Sequence, residues 1–311
     1  MDRNSVDWSG QVTAVVTPFN QDGSINEEGL RNQIDFLVEE GVNVVIANGC
    51  TGEFWAQSIE ERKRVMKVAV EAAAGRIPVI GGASANYTPD VVDLTRYAAD
   101  IGCSGVMVMP PYLVRPNNDD IYHHYKMVSD AVDLPILLYN IPRDTVNDLT
   151  PELVNKLADL RTTVAIKDSS FDFNIFWRLQ TSVSDRLRVL IGPSTMFGAP
   201  AVLMGADGWV DTYSNLWPQM TVGLWRASKA GDWDKARQLQ RVGIEFRRFL
   251  SEGDRNMYSA VKAAMNIIGL PGGYPRLPLR PLEEPHLSQL RDGMIRFGVP
   301  GRRQNLASVA E

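Results

Sequence analysis

Thr163-Val164-Ala165-Ile166-Lys167 is a short, largely β-branched and apolar run that ends on an amine. It shows no in–out alternation, and a continuous apolar run of this length suits a parallel strand buried on both faces. Seven further runs share its character: Val12–Val16, Val42–Ala47, Pro78–Gly81, Gly105–Met109, Ile136–Tyr139, Val189–Ile191 and Gly208–Asp211. Amphipathic stretches separate them, among them Glu27–Glu40, Ile59–Ala74 and Pro89–Ile101. The last is expected to start from Thr88 as N-cap, with Pro89 at the first helical position. Strand–helix alternation with short connections is the pattern of a parallel α/β fold, and eight units favour closure over an open sheet. The expected class is an α/β protein: a (β/α)8 TIM barrel with a C-terminal helical appendix. No G-x-G-x-x-G follows the first strand, which lowers the dinucleotide-binding alternative.

After residue 218 the strand signal stops. Met220–Gly231, Asp232–Leu250 and Asn256–Ile268 read as helices, followed by a proline-rich run, Pro271–Pro285. The expected division is a barrel over 1–218 and a helical extension packed on it over 219–311. The polar tail Arg302–Glu311 is expected to fray.

Bulk properties narrow the function classes. The 311 residues carry a net charge of −5 with both signs interspersed, so there is no basic stripe for a phosphate backbone and no nucleic-acid partner is expected. Met1–Gly10 is polar, and no apolar run approaches the ~20 residues of a membrane span, so no membrane partner is expected. Two cysteines, Cys50 and Cys103, do not imply a disulfide framework, and a reducing cytoplasm fits. His123, His124 and His286 do not fall at metal-ligand spacing, so no metal and no cofactor is expected.

Catalytic groups of such a barrel belong at the C-terminal ends of its strands. After strand 2 stands Asn48-Gly49-Cys50-Thr51-Gly52-Glu53, a turn whose N–H groups and hydroxyl could hold a carboxylate, or simply a tight connection. Strand 5 ends in Tyr139-Asn140-Ile141-Pro142 and strand 6 in Lys167-Asp168-Ser169-Ser170. An ammonium at the end of a buried strand is costly, and two resolutions are open. Its pKa falls and it becomes a neutral amine nucleophile, or it ion-pairs at the rim, with Asp168 for example.

In their order along the chain these motifs resemble the dihydrodipicolinate synthase / N-acetylneuraminate lyase family. The likeness runs from Thr17-Pro18-Phe19 through the strand-2 turn, Tyr139-Asn140-Ile141-Pro142 and Ile166-Lys167-Asp168 to Val261-Lys262-Ala263-Ala264 and Leu270-Pro271-Gly272-Gly273. The resemblance implies a metal-free class I lyase, a homotetramer acting on a small 2-oxo acid. Matched residue by residue, Lys167 is the Schiff-base lysine and Tyr139 the proton-relaying phenol. Cys50 and Thr51 hold the 2-oxo acid's carboxylate, and Val210 lines the pyruvoyl end.

The departures from that family are specific. Cys50 stands where the synthases place a threonine, and a thiol is the weaker donor; a buried spectator is the favoured reading of it. Leu113, in Pro110-Pro111-Tyr112-Leu113, stands where a synthase subunit lends a tyrosine to its neighbour. Asp144 occupies the place of the arginine that binds the aldehyde substrate's carboxylate, with Arg143 one residue early. Ser194 and Thr195 replace the acidic pair of the sialic-acid branch. Together with Ser169, Asp211 and Thr212 they form a polar set able to bind a hydroxylated tail. Asp211 is either a hydroxyl acceptor or auxiliary base, or an ion-pair member at the rim.

The expected function is a Schiff-base aldolase or dehydratase for a 2-oxo acid such as pyruvate or a 2-keto-3-deoxy sugar acid. The alternatives are 4-hydroxy-tetrahydrodipicolinate synthase itself, with Arg143 substituting for the displaced arginine, and a catalytically weak 2-oxo-acid-binding or regulatory homologue. A metal-dependent aldolase ranks below these.

Overall fold

The computed structural model describes residues 1–301, so the tail expected to fray, Arg302–Glu311, lies outside the described residues. Eight parallel strands close a barrel in sequence order. They are β1 (Gly10–Ala14), β2 (Val44–Ala47), β3 (Val79–Gly82), β4 (Gly105–Val108), β5 (Ile136–Asn140), β6 (Thr163–Asp168), β7 (Arg188–Ile191) and β8 (Gly208–Asp211). The helices are α1 (Glu27–Glu39), α2 (Ile59–Ala73), α3 (Thr88–Asp100), α4 (Asn118–Ala131), the single turn α5 (Pro142–Thr145), α6 (Pro151–Leu157), α7 (Phe173–Val183), α8 (Ser194–Leu203), α9 (Pro218–Lys229), α10 (Trp233–Leu250), α11 (Met257–Ile267) and α12 (His286–Phe297).

All eight expected strands are present, with ends that move by up to two residues. The largest shifts are at β1, which spans Gly10–Ala14 instead of Val12–Val16, and at β2, which starts at Val44 instead of Val42. The expected Thr88 cap is corrected: Tyr87 takes the N-cap position, Thr88 is the first helical residue and Pro89 the second. Instead of capping, the Thr88 hydroxyl meets His124 Nδ1 at 2.9 Å. The Asp232 and Asn256 side chains cap α10 and α11, one residue before each helix begins.

The core has two shells. Inward-facing Val12, Val44, Ile46, Ile80, Met107, Leu137, Ala165, Leu190 and Val210 fill the barrel, with Trp8 buried in the same cluster. Gly105 is what admits the indole, because a Cβ there would lie 2.4 Å from its ring. Outward-facing residues such as Ile136, Leu138, Ile166, Val189 and Ile191 pack under the helices. α9 follows β8 as each barrel helix follows its strand and covers β1, so the expected division after residue 218 falls at the first residue of this helix. α10 packs on α8 and α9, and α12 on α10 and α11.

One irregularity positions the chemistry. Ile136 pairs with Thr163 but Leu137 with Ala165, so β6 carries one extra residue at Val164. Side chains alternate with period two, so an extra residue reverses which face each later residue presents. Ala165 therefore joins the interior and Ile166 the outer shell. Lys167 pairs with Tyr139, whose side chain belongs to the interior cluster.

Candidate functional site

The C-terminal mouth of the barrel holds a pocket lined by Lys167, Tyr139, Cys50, Thr51, Val210, Arg143, Ser169, Ser194, Thr195, Asp211 and Thr212. Every candidate residue named from the sequence is therefore brought to one cavity, although these residues come from the ends of five different strands.

Lys167 lies at its floor. It is buried, and its Nζ sits 3.8 Å above the centroid of the Tyr139 ring. Burial pulls its pKa down to about 8, against weaker upward pulls from Cys50 and Asp211. Among the described residues it forms no ion pair, so of the two resolutions the amine with a lowered pKa is the one present. Asp168 is turned away: its carboxylate accepts from Asn140 Nδ2 at 3.0 Å and from the Ser170 hydroxyl at 2.9 Å. Burial raises Asp168 to about 6.

Tyr139 is buried as well, which drives its phenol well above the ordinary value. Its hydroxyl lies 4.0 Å from Cys50 Sγ. Burial also raises the Cys50 thiol, so that sulfur stays protonated at neutral pH and is a weak partner for the phenol.

The turn after β2 is a left-handed device. Asn48 has φ 57° and Glu53 φ 55°, bracketing a short 3-10 turn over Cys50–Gly52. Asn48 Nδ2 donates to the Arg62 carbonyl at 2.7 Å. Gly82 leaves room for this turn, since a Cβ there would fall 2.1 Å from the Asn48 oxygen. The Thr51 and Thr212 hydroxyls meet at 2.8 Å, joining the turn to the end of β8.

Asp211 is buried, and burial raises its pKa. It accepts from the Ser194 hydroxyl and, at 2.7 Å, from the Ser214 N–H. It pairs with no cation among the described residues, so the ion-pair reading of Asp211 is corrected: the carboxylate faces the pocket beside Ser194. Ser169 fits because residue 192 is glycine; a Cβ there would stand 1.9 Å from the serine oxygen.

Arg143 reaches the rim but is exposed, 3.4 Å from Asp144. Leu113 is 84% exposed at φ 72° and takes no part in the pocket, so its position offers no hydroxyl there. Tyr112 packs edge-on against Phe54 at 6.1 Å.

Sequence reasoning missed Phe171, Tyr213, Arg247, Met257 and Tyr258, which also line the pocket. Arg247 and Tyr258 come from α10 and α11, elements read only as an appendix. The polar stripe Gln240–Gly243–Arg247, at helical spacing on α10, was the available signal.

A parallel barrel with a buried lysine, free of ion pairs among the described residues, against a tyrosine at its C-terminal mouth defines a class I barrel lyase. The model of the dihydrodipicolinate synthetase family matches residues 7–295, and the chain belongs to that family. The 4-hydroxy-tetrahydrodipicolinate synthase of Alkalilimnicola ehrlichii is 37% identical over 92% of this chain and 98% of its own. The crystal structure of dihydrodipicolinate synthase from Aquifex aeolicus superposes with a TM-score of 0.89 at 31% identity, covering 95% of this chain and 100% of that one. YagE, a prophage protein of the same family from E. coli K12 crystallised with pyruvate, gives 0.89 at 29% identity over 94% and 99%.

Proposed function

We propose that this enzyme is an aldolase or dehydratase for 2-oxo acids, pyruvate or a 2-keto-3-deoxy sugar acid, acting through an imine on Lys167. The observation that carries this is the buried Lys167 amine, without an ion-pair partner among the described residues and with a pKa of about 8, held over Tyr139. A relative of the same fold takes pyruvate into its crystal, which supports the choice of a 2-oxo acid.

In this reading the substrate carboxylate lies against the N–H groups of the Cys50–Thr51 turn and the Thr51 hydroxyl. The neutral amine attacks C2, and Tyr139 passes protons as the carbinolamine loses water. The protonated imine then withdraws electrons from C3. When the C4 hydroxyl gives its proton to a base, the C3–C4 bond breaks, its electron pair enters the enamine and C4 becomes a carbonyl. When C3 instead loses a proton, the C4 hydroxyl departs as water. In this reading Asp211 with Ser194 holds that hydroxyl, and a positioned acid–base group is typically worth ~10²–10⁴-fold. A homotetramer, inferred from the family likeness, completes the reading and is checked by light scattering.

The names of the relatives favour a second reading, condensation of pyruvate with aspartate semialdehyde. The exposed Leu113 and the Arg143–Asp144 pair weigh against it, because neither the neighbour's phenol nor an unencumbered arginine stands in the expected place. Assay of the wild type on 2-keto-3-deoxy sugar acids and on the coupled condensation decides between them. Turnover of the sugar acids, lost in Lys167→Ala, is the expected result. Turnover confined to the condensation would replace this reading with the second, and an active Lys167→Ala would end both.

A further inference from the structure

α10 is tied to the pocket wall by its own sequence. Gln240 donates to the carbonyl of Ser194 at 3.0 Å and to that of Thr195, and accepts from the Ala199 N–H at 2.9 Å. Gly243, three residues on, brings the helix against Thr195, whose methyl would lie 3.5 Å from a Cβ at that position. Residues three and four apart share a helix face, so Arg247, four beyond Gly243, continues this face and lines the mouth of the cavity.

Phe171 receives it. The guanidinium of Arg247 lies 5.5 Å from the Phe171 ring centroid and that of Arg143 lies 5.3 Å from it. Phe171 is held at φ 63°, a left-handed region that bulky residues rarely adopt. The two cations differ in their company. Arg143 is exposed and faces Asp144, whereas Arg247 is half-buried and, among the described residues, pairs with no carboxylate. An arginine stacked on an aromatic face keeps its N–H edge free for a carboxylate. The Tyr213 hydroxyl, which bonds Met257 Sδ at 3.3 Å, stands beside it.

We propose that Arg247 is a specificity-determining residue that binds a second carboxylate at the far end of the substrate, making the preferred substrates 2-oxo dicarboxylic acids. This rests on the Lys167 imine, which fixes the near end of the substrate at the floor of the same pocket. The carboxylate-binding role that Asp144 of α5 cannot fill is then served from α10, and Ser194, Thr195 and Asp211 meet the chain between.

Borohydride trapping with two ligands of equal length tests it. 2-Oxoadipate carries the terminal carboxylate and 2-oxohexanoate lacks it; pyruvate serves as the reference for imine formation. In the wild type, half-maximal adduct formation is expected at a concentration about tenfold lower, or more, for 2-oxoadipate. The ratio between the two ligands, which is insensitive to the folded fraction, falls towards one in Arg247→Ala and Arg247→Gln and is kept in part in Arg247→Lys. A wild-type ratio near one, or a ratio unchanged in Arg247→Ala, overturns the inference while the imine on pyruvate stands. Failure to trap any of the three acids removes the imine and this inference with it.

Discussion

Lys167 sets the behaviour at the scale of single residues. Burial lowers its folded-state pKa from 10.5 to about 8, so the amine is protonated below pH 8 and free above it. Imine formation should accordingly rise as pH is raised through about 8, read as the rate of borohydride-trappable adduct at saturating pyruvate. The same burial opposes folding. Below about pH 8 the lysine is charged in both states, and the native state bears the full desolvation cost. Between about 8 and 10.5 the unfolded chain holds the extra proton, so the native state gains as pH rises. Lys167→Met should therefore abolish turnover and raise the thermal midpoint at pH 7, by a few degrees for a relief of order 1–2 kcal/mol. A fall in that midpoint would mean the lysine is stabilised by contacts its geometry does not show. Tyr139→Phe should cost ~10²–10⁴-fold in kcat if the phenol relays protons. Cys50→Ala should cost far less, because the thiol is protonated and 4.0 Å from the phenol.

Between elements, the turn after β2 is held by the C-terminal helices. Glu53, fully buried at φ 55°, makes an ion pair with Lys262 of α11, itself 1% exposed. The Arg276 N–H donates to the same carboxylate at 2.9 Å, and its guanidinium reaches Glu61 and the Gly23 carbonyl. Removing one member of a buried pair leaves the other charged in a dry site, at about 3–5 kcal/mol. Glu53→Ala should lose about that much in urea unfolding and also weaken substrate binding, since the Cys50–Thr51 turn and Tyr258 lose their common anchor. The double replacement Glu53→Gln, Lys262→Met should recover part of the stability. A Glu53→Ala protein as stable as the wild type would show that this pair holds nothing in place.

These elements also show what the sequence made legible. The eight strands were readable because a parallel barrel buries both faces of each strand, leaving continuous apolar runs, and Lys167 stood out as a charge within one. The extra residue at Val164 was not readable, because register depends on pairing partners that lie apart in the chain. Nor was the approach of Arg247 and Tyr258 to the pocket, since an amphipathic period gives a helix face and not the object it faces. Thr88-Pro89 misled for a local reason: threonine before proline is a good cap signal, and here the hydroxyl has His124 as a stronger tertiary partner.

The molecule as a whole is a closed sheet whose catalytic end is finished by helices beyond β8. α9 carries buried Met220, Val222 and Leu224, and α10 brings Gln240 and Arg247 to the mouth. A chain cut at residue 218 would expose that apolar face and should fail to unfold cooperatively in urea; a sharp two-state transition from it would contradict the packing described. The proposed chemistry centres on one atom, the Nζ of Lys167. The most direct measurement is therefore borohydride reduction in the presence of pyruvate, followed by mass spectrometry and peptide mapping. A reduced pyruvyl adduct on the peptide containing Lys167, absent from Lys167→Ala, is the predicted result. A folded protein that forms no adduct with pyruvate or any longer 2-oxo acid, or that forms it on another lysine, would contradict the account.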